Sequence, residues 1–80
     1  MKASDYAPPG PYGSPPAGQY VPQQQRREAV LDALRGAPLG DHDMQVTHWV
    51  VSWDDSTVRT IVSWLERVRV AGAAEAGGAS

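Results

Sequence analysis

Asp41-His42-Asp43-Met44-Gln45-Val46-Thr47-His48-Trp49-Val50-Val51-Ser52-Trp53 is the stretch on which the fold turns. As a strand it puts Thr47, Trp49, Val51 and Trp53 on one pleated face, and Val, Thr and Trp all suit that surface. As a helix it puts Val46, Trp49, Val50 and Trp53 at i, i+3, i+4 and i+7, with Asp41 or Asp43 placed to cap the start. Local propensity favours the strand. Periodicity and the helical neighbours on either side favour the helix, and that is the reading adopted; an oligomer built on a strand over 45–53 is its rival.

The segment that follows has the clearest pattern in the chain. Val58, Ile61, Val62, Leu65 and Val68 fall at i, i+3, i+4, i+7 and i+10, one stripe of period 3.6. Asp54, Asp55 or Ser56 supplies the N-cap, and the carboxylates suit the positive end of the helix dipole. Arg67 and Arg69 stand toward the other end, where cations are favoured. Gly72 is the expected stop, and residues 73–80 read as a flexible tail of small residues.

Upstream, Ala29, Val30, Ala33 and Leu34 make a second apolar stripe, with Leu31 at its edge, on a helix expected over 24–35. Gly36 and Pro38 end it. Before it, residues 1–22 hold six of the seven prolines and all three tyrosines, Tyr6, Tyr12 and Tyr20. No apolar periodicity runs through them, and the composition predicts a disordered Pro/Gly/Tyr-rich tail of polyproline II and coil. The globular part is then residues 23–72, a size at which a core is marginal without staples.

Composition narrows the chemistry. There is no cysteine, so neither a disulfide nor a thiolate metal site is open to the chain. No run reaches the ~18–20 apolar residues of a membrane span, and the start of the chain is unlike a secretory signal, so a cytoplasmic protein without membrane contact is expected. Six arginines to one lysine, with abundant Ala, Gly and Val, fit a GC-rich coding genome, bacterial or phage. Nine acidic side chains against seven basic ones give a net charge of −2. That is not the basic body of a strong nucleic-acid binder.

No catalytic set emerges. His42 and His48 are the candidate bases, and no nucleophile stands at a spacing that would bring a triad together. Asp41-His42-Asp43 points its side chains in different directions and lacks a further ligand at helical spacing, so no metal or other cofactor is expected. The three tryptophans are a large share of the apolar area. Core packing is expected of Trp49 and Trp53. Trp64 lies beside the main stripe with Ile61 and Val68, where Trp64 and Val68 would widen it into a partner or dimer face.

An apolar first helix, a turn, a short second helix and then Ser56-Thr57-Val58-Arg59-Thr60-Ile61 resembles the helix-turn-helix and winged-helix DNA-binding families over residues 27–72. The resemblance implies a small three-helix domain that binds double-stranded DNA as a transcriptional regulator. In it, Val58 and Ile61 would anchor the reading helix while Ser56, Thr57, Arg59, Thr60 and Ser63 face the major groove. His48 and Ser52 stand where those families place a small residue and a glycine, and Asp54 and Asp55 lie at the tip of the reading helix. The alternative expectation is a non-enzymatic protein-interaction module that uses the tryptophan-bearing helical face, in which the acidic balance is no obstacle.

Overall fold

The computed structural model describes residues 1–16 and 18–78 and is mainly helical. Its helices are α1 (Ala3–Tyr6), α2 (Gln23–Ala33), α3 (Asp41–Val50) and α4 (Asp55–Gly78), with no strand among the described residues. The helical reading of 41–53 holds, and the strand-built alternative falls. α2 packs against α1, α3 and α4, and α1 also rests on α4.

Each helix end has a local cause. Pro22, in extended geometry, delivers the chain to α2, and its carbonyl accepts the N–H of Arg26. Past Ala33 the chain turns through Gly36, whose φ of 90° is costly for any residue with a Cβ. Gly40 precedes α3, and the Asp43 carboxylate reaches back to accept the Gly40 N–H at 2.9 Å. Asp54 caps α4 by accepting the Thr57 N–H at 3.1 Å, and it also accepts the Ser56 and Thr57 hydroxyls. These bonds, Ser56 first, hold its carboxyl below the usual carboxylate range. Gly72 does not stop α4, which runs on to Gly78. Ala71, Ala73, Ala74 and Ala76 are strong helix formers, and Gly72 keeps a negative φ. The tail expected over 73–80 is thus helix as far as 78, and residues 79–80 lie outside the described residues.

The core gathers Ala29, Val30 and Ala33 of α2, Val51 after α3, and Val58 and Val62 of α4, with Leu34, Trp53 and Leu65 packed at its edge. Residues 1–22 complete it, which the expectation of a free tail did not include. Ala3, Tyr6, Ala7 and Val21 are buried, and Tyr6 is only 1% exposed. A core this small gains from any apolar surface that covers Val58 and Val62, and the N-terminal segment supplies it.

The expected inner face of α3 is also corrected. Thr47 and Val51 point inward, whereas Val46 and Trp49 are exposed and Val50 and Trp53 half-buried. Thr47 and Val51 are small enough to let α3 close on α2. The Thr47 hydroxyl is satisfied within its own helix by donating to the Met44 carbonyl at 2.7 Å, so burying it leaves no orphan. Trp49 and Trp53 stack edge-on to each other instead, centroids 4.8 Å apart at 81°.

Candidate functional site

Two surfaces of α4 carry the residues singled out in the sequence. The first carries arginines and lies under residues 1–22. Arg59 is 6% exposed and stacks on the Tyr6 ring at 4.6 Å. Its guanidinium pairs with Asp55 at 2.6 Å and donates to the carbonyls of Tyr6 at 3.1 Å and Gln19 at 3.0 Å. The Tyr6 hydroxyl in turn donates to the Asp55 carboxylate at 2.8 Å. Burial, then this bond to an anion, pushes the Tyr6 phenol far above its ordinary value. Arg67 lies over Tyr12 at 5.4 Å and Arg26 over Tyr20 at 5.7 Å. Every tyrosine of the chain therefore rests on an arginine of α2 or α4.

Two more arginines tie the helices together. Arg26 donates to the Trp53 carbonyl at 2.7 Å in the turn between α3 and α4, and Arg69 donates to the Asp32 and Ala33 carbonyls at the end of α2. Arg69 thereby places a cation where a helix dipole is negative. The Nε atoms of Arg26 and Arg59 are buried without a hydrogen-bond partner. Glycine makes the close approach possible. A Cβ on Gly18 would meet the Arg59 guanidinium and one on Gly10 the Arg67 guanidinium.

The DNA-facing set is split by this packing. Ser56 and Thr60 are half-buried and Thr57 exposed, but Arg59 and Ser63 are buried. Ser63 faces the Pro8 carbonyl at 3.4 Å. The expectation that Arg59 and Ser63 point outward is therefore corrected, because the N-terminal segment occupies their side of the helix.

The second surface is the aromatic one. Trp64 is 56% exposed, Val68 71% and Trp49 59%. Trp64 and Val68 stand four residues apart on one face of α4, as expected of a partner face. Trp53 and Trp64 line a hollow of ≈ 390 Å³ together with Ser56, Thr57, Thr60 and Ile61 of α4 and with Pro15 of the N-terminal segment. Trp53 is held firmly. Its ring packs on the core and on Trp49, and its carbonyl is fixed by Arg26. The hydroxyls of Ser56 and Thr57 are committed to Asp54, and that of Thr60 to the Ser56 carbonyl at 2.8 Å.

No group of three or more metal-ligating side chains gathers among the described residues. No helix among them is long and apolar enough to cross a membrane. No family model, curated protein or solved structure matches the chain.

Proposed function

We propose that the chain is a small non-enzymatic protein-interaction module whose binding face is the tryptophan-bearing side of α3 and α4. The observation that carries this is Trp64, with more than half its surface in water in a protein too small to fill its own core. Tryptophan buries 150–250 Å², and it is among the residues that most often anchor protein interfaces. Val68 and the Trp49–Trp53 pair extend the patch to either side of the hollow.

Duplex DNA is the second partner to test, because Ser56, Thr57 and Thr60 keep part of their surface in water. It is disfavoured by the burial of Arg59 and by Asp54 at the tip of the helix. Phosphate binding needs cations, and on α4 Arg59, Arg67 and Arg69 are engaged by tyrosines, carbonyls and carboxylates.

A photo-reactive residue at Val68, with a control at exposed Gln25 on α2, tests the face directly in cells. We expect discrete protein crosslinks at position 68, to another protein or to a second copy, that disappear in Trp64→Ala while helical content is unchanged. Equal labelling at 25 and 68 sinks the reading. In parallel, fluorescence anisotropy with mixed duplex DNA at two salt concentrations should show no salt-dependent complex; a steeply salt-dependent one would restore the DNA reading.

A further inference from the structure

The hollow on α4 already contains a clue to its occupant. Of the side chains around it, one comes from the N-terminal segment, and that one is Pro15. Pro15 is itself exposed, so it lines the hollow without being buried in it. We infer that this hollow binds an extended, proline-rich peptide with a basic residue beside its prolines, and that Pro15 is a resident occupant which such a ligand displaces. The inference rests on the protein-interaction reading of this face and names the chemistry of the partner.

Three features fit that ligand. The walls are two indoles, and pyrrolidine rings pack flat against aromatic faces at little entropic cost, because a polyproline II strand is stiff before it binds. One wall, Trp53, is fixed by the core, by Trp49 and by Arg26; the other, Trp64, is open to solvent. A clamp of one rigid and one adjustable plate suits a repeating ligand.

The second feature is hydrogen bonding. A polyproline II strand has no internal hydrogen bonds, so its carbonyls look for donors. Among the described residues neither the Trp53 nor the Trp64 indole N–H donates to the protein, while the Ser56, Thr57 and Thr60 hydroxyls are committed within α4. Two indoles that line the hollow and keep their N–H groups free leave donors for a ligand that brings only acceptors.

Charge is the third. Asp54, whose bonds to Ser56 and Thr57 set it against the α4 end of the hollow, is exposed and ionised. It repels a phosphate and attracts a lysine or arginine. The resident segment has no basic residue within ten positions of Pro15 on either side, so it leaves this carboxylate unanswered. An incoming peptide with prolines and a cation answers both parts of the site.

The test is calorimetry and indole N–H NMR on the full chain with three synthetic peptides: decaproline, decaproline ending in arginine, and a Gly/Ser decamer. We expect decaproline to bind, its arginine-ended form to bind more tightly at low salt, and the Gly/Ser peptide not to bind. The Trp53 and Trp64 N–H signals should move together. Trp64→Ala should weaken binding about ten-fold or more, as loss of an interface anchor does. Pro15→Gly, which removes the resident ring, should tighten it at least about two-fold, as removal of a built-in competitor does. The NMR shifts locate the site even if either variant folds poorly. No binding of either proline peptide to the native chain and to Pro15→Gly overturns the inference, as does binding that leaves both indole signals in place. Crosslinks at Val68 in that event would keep the interaction-module reading with a partner of other chemistry, whereas their absence would remove that reading as well.

Discussion

Tyr6 shows how much a single side chain does in a protein of this size. It fills the space over Val58 and Val62, lies on Arg59, and donates to the Asp55 carboxylate and carbonyl. Replacing it with phenylalanine keeps the ring and removes the hydroxyl, leaving a partly buried carboxylate short of one donor. We expect Tyr6→Phe to destabilise the fold by about 1–3 kcal/mol in a denaturant titration. The variant also isolates an alkaline effect. The phenol is raised above its ordinary 10.0, so the folded state favours the neutral form. That contribution is fully present below pH 10 and is lost as pH rises beyond it toward the folded value. Stability of the native chain should therefore fall faster above pH 10 than that of Tyr6→Phe, and equal slopes would show that the hydroxyl is not tied to folding. Arg59 carries the corresponding lesson about reading residues in isolation. Its spacing on α4 suits a groove-facing contact, and nothing local reveals that Tyr6 and Gln19, 53 and 40 positions away, supply its partners.

At the scale of elements, periodicity was a sound guide to where α2 and α4 run and a poor guide to which way α3 faces. Four apolar residues at helical spacing over 46–53 point to one face, yet Thr47 and, just past the helix, Val51 are the ones that are buried. The choice depends on how closely two helices approach, and so on side-chain volume, which a count of apolar positions does not register. The shortest element, α1, has no pattern at all, and it is held from outside: the Asp32 carboxylate accepts the Ala3 N–H at 2.8 Å and pairs with Arg35 at 2.8 Å. The bond from Ala3, ahead of the pairing with Arg35, holds the Asp32 carboxyl below its ordinary 3.8. A depressed carboxyl contributes stability above the unfolded value and loses it as pH falls through the folded one. Acidification below about pH 4 should therefore loosen α1 before the body melts. The protection of the Ala3 amide, its exchange rate relative to an open chain at the same pH, should fall there in the native chain and be low already at neutral pH in Asp32→Asn, whose side chain no longer carries the charge. Exchange at the native rate in Asp32→Asn would place the anchor elsewhere.

For the molecule as a whole, residues 1–22 are the part that composition describes least well. Proline and glycine signal a segment that has no apolar pattern of its own. They do not signal whether a neighbouring surface will hold it in place. Here three tyrosines meet three arginines, and two glycines permit the close approach. The trace visible in the sequence is that every tyrosine lies before Val21 and five of the six arginines after Arg26. The candidate face was half legible: Trp64 and Val68 stood out beside the main stripe, while Pro15 and Trp53 join them only through the tertiary packing. Removing residues 1–22 should cost at least about 3 kcal/mol, since it bares Val58, Val62 and the Arg59–Asp55 pair. Thermal melts followed by circular dichroism should lose their cooperative transition; a truncated chain that melts as sharply as the full one would make the segment an ornament of the fold.

The same contacts set the order in which the protein can be built. Tyr6 meets Asp55, Arg59 meets Tyr6 and Ser63 faces Pro8 across separations of 49, 53 and 55 positions in an 80-residue chain. Helical proteins generally fold fast because their contacts are local, and this one closes over its longest loops. On a ribosome the tyrosines emerge before the arginines of α4. Until translation has passed Arg67, the growing chain carries Tyr6 and Tyr12 without the full set of partners that holds their segment down.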